Sequence, residues 1–186
     1  NNMETIFSGL IILIILVFSA ILHEVAHGFI ADRLGDPTAR LSGRLTLNPR
    51  KHIDPFMSII LPLVLILSNS PVIFGAAKPV PVDPFNLKDG RKDIAIVSLV
   101  GPITNVLIAI IAALTIHGLF LIPIDSNIGN FIFKILFTIV HLNLLLAVFN
   151  LLPIPPLDGS KIFALILPEK EANIYLSLSS IGFFII

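Results

Sequence analysis

Apolar residues fall along this chain in long blocks rather than in one-sided stripes. Ile6 to Leu22 holds 17 residues without a charge, and helical spacing continues to about Ala31. At about 1.5 Å per residue, such a helix covers a bilayer core of roughly 30 Å. Ile94 to Ile124 is uncharged for 31 residues, enough for a tilted span. Phe131 to Leu152 predicts a third span, with Lys134 near its start able to reach the interface. Ile174 to Ile186 opens another apolar run and reads as the start of a further C-terminal span.

Two stretches break the pattern. Pro55 to Leu67 is apolar for only 13 residues and carries Pro62, so a re-entrant or interfacial piece is expected. Ala39 to Asn48 alternates Leu41, Gly43, Leu45 and Leu47 with Ser42, Arg44 and Thr46. That period predicts a short β-like segment after the first span. Lys78 to Pro84 has prolines nearly every second position, which predicts extended backbone unsuited to a central sheet. The expected architecture is an all-α polytopic membrane protein. It has three core transmembrane helices, a re-entrant segment, the β-like segment and at least one further span, within a single membrane-embedded domain, Asn1 to Ile186.

Composition agrees. The chain of 186 residues is 55% hydrophobic and 13% charged, where soluble domains carry about 25% charged residues. Cysteine is absent, which excludes disulfides and thiolate metal ligands. A net charge of zero gives no handle for nucleic acid. Nine of the twelve Lys and Arg residues, between Arg33 and Lys51 and between Lys78 and Lys92, flank Pro55–Phe74. The positive-inside rule places both flanks in the cytoplasm and the N-terminus outside.

Polar residues inside the apolar blocks carry the chemistry. His23 and His27 stand one helical turn apart on one face, so both imidazoles can reach one metal ion. Glu24 beside them is placed to serve as a general base toward water. A carboxylate and two imidazoles at membrane depth are costly without a partner. A catalytic zinc site needs a third protein ligand. The metzincin continuation fails, because Ile30 and Arg33 occupy its positions, and Glu169 and Glu171 lie in a polar stretch. Asp158 stands out. Pro153, Pro155 and Pro156 end the third span before it, and Gly159 follows. Asp158 alone suits an N-cap equally well. However, the third span returns the chain to the side of His23 and His27. Gly101 and Pro102 suit a helix start or close packing, and the amides of Asn105 and Asn150 suit a structural bridge or a substrate donor. His117 and His141 read as helix–helix hydrogen bonders and His52 as interfacial.

The ordered motifs "HEVAH" at 23–27, "GPITN" at 101–105 and "NLLPIPPLDG" at 150–159 resemble the site-2 protease family of intramembrane zinc metalloproteases, in its compact form without PDZ or CBS domains. The resemblance implies one zinc ion held by His23, His27 and Asp158, with Glu24 as base and Asn105 and Asn150 binding substrate backbone. It implies proteolysis within or near transmembrane segments of other proteins, in a prokaryotic plasma membrane, from a site opening to the cytoplasm. Either Ala39–Asn48 or Lys78–Pro84 would then pair with unwound substrate. A metal transporter and an inactive metal-binding scaffold are the rival readings. A transporter would show repeats and a continuous polar path; the sequence has one polar cluster and no repeat.

Overall fold

The computed structural model describes residues 2–68, 70, 77–119 and 126–178. Among the described residues, three helices are long and apolar enough to cross a membrane. They are α1 (Asn2–Leu34), α4 (Arg91–Leu119) and α5 (Ser126–Asn150). Four short helices accompany them: α2 (Thr38–Leu41), α3 (Leu61–Leu67), α6 (Asp158–Ala164) and α7 (Glu169–Ser177). Helix α4 is the hub, packing on α1, α5 and α6.

The hub follows from residue size. Ala95, Ser98, Pro102, Asn105, Ala109 and Ala112 are buried on α4 and recur every three or four positions. Small side chains on one stripe let neighbouring helix backbones approach closely, which is how helices associate where surrounding lipid removes the hydrophobic drive. The outward faces carry Ile14, Phe18, Ile110, Ile111, Leu145 and Val148, all exposed. A perimeter of that kind suits hydrocarbon and not water.

The β-like expectation for Ala39–Asn48 is overturned, since no strand occurs among the described residues. Thr38 to Leu41 is helical, and Gly43 then turns the chain at φ 64°. The physical reason lies in the neighbouring segment. Pro79, Pro81 and Pro84 deprive residues 78–84 of the N–H groups that a ladder requires. A side chain does the work instead. The buried Arg44 guanidinium donates to the carbonyls of Lys78 (2.8 Å) and Pro79 (3.1 Å). His52 is buried. It donates from Nε2 to Thr46 O, and its own carbonyl accepts from Lys78 N–H.

The segment Pro55–Leu67 forms a π-helical turn, Pro55–Ile60, followed by α3. Asp54 caps it by accepting from Phe56 and Met57 N–H. Thirteen helical residues reach about 20 Å, short of a roughly 30 Å crossing. Its Ile66 sits against Gly9 of α1. Whether the chain then returns depends on residues 69 and 71–76, outside the described residues. The expected C-terminal span likewise lies mostly beyond them, since α7 covers only its first turn.

The far end of the proline-rich segment is held by Asp36, which is fully buried. Its carboxylate accepts from Asp83 N–H (2.7 Å), Asn86 Nδ2 (3.1 Å), Thr38 N–H (3.1 Å) and the Thr38 hydroxyl. Burial pushes its pKa up, but the Thr38 hydroxyl, Asp83 N–H and Asn86 amide outweigh this and hold it below the usual carboxylate range. A depressed folded pKa stabilises the fold above about pH 4 and loses that contribution as pH falls through the folded value. Hydrogen bonds to a charged group contribute about 1.5–3 kcal/mol each. Asp36→Asn is therefore expected to melt lower at pH 7 and to lose part of the wild-type decline between pH 5 and 3. Parallel melting curves in detergent check this.

Candidate metal centre

Helix α1 brings His23 and His27 to one face, and α4 receives them. Their Nε2 atoms are 2.9 Å apart, and each is 3.1 Å from Asp158 Oδ2. The opposite ring nitrogens are committed. His23 Nδ1–H donates to Asn105 Oδ1 at 2.6 Å, and His27 Nδ1–H donates to the Val97 carbonyl at 2.7 Å. In neutral imidazoles both Nε2 atoms then carry lone pairs. Three acceptors thus converge on one point with no hydrogen to share among them, an arrangement that a cation relieves. Ligands of a tetrahedral zinc at about 2.0–2.1 Å lie roughly 3.3 Å from one another, close to the observed spacing. The donor set of two imidazoles and a carboxylate fits zinc.

Asp158 reaches this point because α5 stops at Asn150 and the prolines after it forbid helix. Gly159 lies so close to the carbonyls of Leu151 and Leu152 that a Cβ would overlap them. The N-cap reading of Asp158 fails. Asp158 is the first residue of α6 with Leu157 before it, and its carboxylate makes no capping bond. Its second oxygen, Oδ1, is 3.3 Å from Lys161 Nζ.

Glu24 also lies close, its carboxylate oxygen within 4.8 Å of the histidine nitrogens. Asp158 at 3.1 Å is the carboxylate nearer to both Nε2 atoms. Glu24 is held apart by Val80 N–H, which donates to its Oε2 at 2.8 Å. The proline-rich segment therefore orients it. These groups open on a cavity of about 330 Å³, lined also by Val82, Asn150, Leu157 and Lys161. His27 lies seven residues from the end of α1, about 10 Å along the helix.

The two amides part company. Asn150 lines the cavity and donates to Leu146 O. Asn105 is 0% exposed, with its oxygen on His23 and its nitrogen on Asn143, so it does not face the cavity as Asn150 does. Asn143, Val80 and Lys161 escaped the sequence reading. Asn143 carries the same signal as Asn150, an amide inside an apolar span, seven residues earlier on the same helix face. Gly101 proves to be a contact point for the two imidazoles. A Cβ there would stand 2.6 Å from His23 Cε1 and closer still to His27 Nε2. His141 is exposed on α5.

Three apolar spanning helices around a His₂Asp cluster with an adjacent glutamate define an integral membrane metallopeptidase. The chain belongs to peptidase family M50, the site-2 proteases, whose family description, Peptidase family M50, matches residues 113–186. It is 36% identical over 179 residues to "Putative zinc metalloprotease YwhC" of Bacillus subtilis, covering 94% of this chain and 77% of that one. Rip2 of Mycobacterium tuberculosis is 34% identical over 155 residues, 82% of this chain and 56% of its own. MJ0611 of Methanocaldococcus jannaschii is 32% identical over 151 residues, 80% and 71% respectively. Both bear the same designation as YwhC. No solved structure matches. The protein is a zinc-dependent intramembrane protease, and the transporter and scaffold readings are not favoured.

Proposed function

We propose that His23, His27 and Asp158 hold the zinc ion, that Glu24 is the catalytic base, and that the chain works as one membrane-embedded domain. The observation that carries this is the convergence of two imidazole lone pairs and one carboxylate oxygen within 3.1 Å of one another. Zinc bound there would supply Lewis acidity toward a water and toward the scissile carbonyl. Glu24, outside the ligand set, takes the proton from that water and returns it to the leaving amine. Val80 N–H fixes one oxygen of Glu24 and leaves the other for the transfer. Lys161 holds the free oxygen of Asp158, which keeps that carboxylate presenting a single oxygen to the cluster.

The substrate is a transmembrane segment of another protein, locally unwound so that its carbonyl is exposed. Asn150, on the cavity wall, contacts its backbone. Ala39–Asn48 is not a strand, so it offers unwound substrate no edge to pair with. Asn105 is assigned to His23 and not to substrate. The positive-inside rule makes the end of the bundle carrying Arg33, Arg91 and Lys92 cytoplasmic, in a prokaryotic plasma membrane, and the cavity wall includes Pro84, Ile94 and Lys161 from segments next to that end.

Zinc content of purified wild type beside Asp158→Ala, with cleavage of a model transmembrane substrate in parallel, tests the reading. Wild type is expected to hold one zinc per chain and to cleave. Asp158→Ala is expected to lose at least about 10-fold in zinc affinity, since even residues behind the ligands contribute 10–100-fold. Asp158→Ala that retains wild-type zinc affinity sinks the ligand assignment.

A further inference from the structure

Behind His23 runs a closed hydrogen-bond relay through three helices. His23 Nδ1–H donates to Asn105 Oδ1 (2.6 Å). Asn105 Nδ2 donates to Asn143 Oδ1 (2.9 Å). Asn143 Nδ2 donates to the Ile139 carbonyl and to Ser19 Oγ, both at 2.9 Å. Ser19 lies one turn before His23 on α1, so the relay returns to the helix it started from. Ser19, His23, Asn105 and Asn143 are all at least nine-tenths buried.

The direction of this relay is determined at its far end. A backbone carbonyl can only accept, so the NH₂ of Asn143 must face Ile139. Its oxygen then faces Asn105, which must answer with its own NH₂. That turns the oxygen of Asn105 toward His23 and requires the hydrogen on Nδ1. The lone pair is left on Nε2, where the metal belongs. Without Asn143, the amide of Asn105 can rotate half a turn and present NH₂ to His23 Nδ1. The ring would then carry its hydrogen on Nε2, the tautomer that cannot ligate.

We propose that Asn143 is a positioning residue for the metal, acting through Asn105 to select the ligating tautomer of His23. The proposal rests on His23 being a zinc ligand. Hydrogen-bond partners behind a metal-bound histidine commonly change metal affinity about 10–100-fold. Asn143 receives such a role from two residues away. The second imidazole needs no relay, because His27 donates to a backbone carbonyl directly.

The test measures zinc affinity of the full chain in detergent by competition with a chelator, alongside the melting temperature of the metal-free form. Asn143→Ala is expected to weaken zinc binding about 10-fold or more. Ser19→Ala is expected to stay within about threefold of wild type, because Ile139 still sets the direction of Asn143. Asn105→Asp added to Asn143→Ala is expected to restore most of the affinity. A carboxylate offers His23 an oxygen whichever way it turns, and loss of simple packing would not be rescued this way. If Asn143→Ala does not fold, Asn143→Ser replaces it. The serine hydroxyl can still donate to Ile139 O but is too short to reach Asn105. Wild-type affinity in the Asn143 variant, or no rescue by Asn105→Asp, overturns the relay. A wild-type chain that holds no zinc overturns the ligand assignment and the relay with it.

Discussion

Glu24→Gln is expected to leave the zinc site loaded and the protease inactive. Glutamine has nearly the shape of glutamate, and its amide oxygen can still accept from Val80 N–H, the contact that positions Glu24 at 2.8 Å. The three converging atoms proposed as ligands belong to His23, His27 and Asp158, so on that assignment metal binding has no need of Glu24. What disappears is the ability to take a proton. General acid–base catalysis contributes typically about 10²–10⁴ in rate, and in the proposed mechanism one group serves both water activation and leaving-group protonation. A loss at the upper end or beyond follows. The measurement is zinc per chain together with the cleavage rate of a transmembrane substrate. A Gln variant that cleaves within about tenfold of wild type removes Glu24 from the role of base. A variant that has also lost its zinc shows that Glu24 belongs to the ligand set.

Gly101→Ala is expected to cost more metal than the loss of Asp158, because it disturbs two ligands at once. Local helix propensity points the other way. Within α4, alanine is favoured over glycine by about 1 kcal/mol, so a glycine chosen only for the helix would be improved by the change. The tertiary contact decides the sign. The added methyl would stand 2.6 Å from His23 Cε1 and nearer to His27 Nε2, well inside van der Waals contact. The rings cannot simply retreat, since Asn105 and Val97 hold their far nitrogens. Overpacking of this kind costs about 1–3 kcal/mol, and moving both ligand atoms adds the lost coordination to it. Zinc occupancy is expected to fall at least about 100-fold below wild type at equal free zinc, with activity falling in step. A fully loaded, active Gly101→Ala chain with a raised melting temperature would show that Gly101 is only a helix residue.

Much of the site was legible before any fold was known. HExxH puts two imidazoles on one face of any helix, and the proline run ahead of Asp158 forbids helix in any context. The uncharged blocks specify spans because an unpaired charge in hydrocarbon is costly whichever neighbours surround it. Where the reading failed, the cause was a competing partner. The alternation of Ala39–Asn48 satisfied the strand period, but a strand also needs an edge to pair with, and Pro79, Pro81 and Pro84 removed that edge. Asn105 stayed open between a structural bridge and a substrate donor, because a buried amide needs partners and sequence cannot name them.

The division is physical. The sequence by itself determined which segments leave water, which face of α1 bears the imidazoles, and where the helical backbone must end. Each depends on local stereochemistry or on transfer from water, which act on a residue without reference to distant ones. Long-range packing alone brings Asp158 within 3.1 Å of both histidines and sets Val80 N–H on Glu24. It also decided that Gly101 leaves room for the rings and that Asn143 is tied to His23 through Asn105. Those relations join residues 38 to 135 positions apart, and they exist only once the small-residue stripe of α4 lets three helices close on one another.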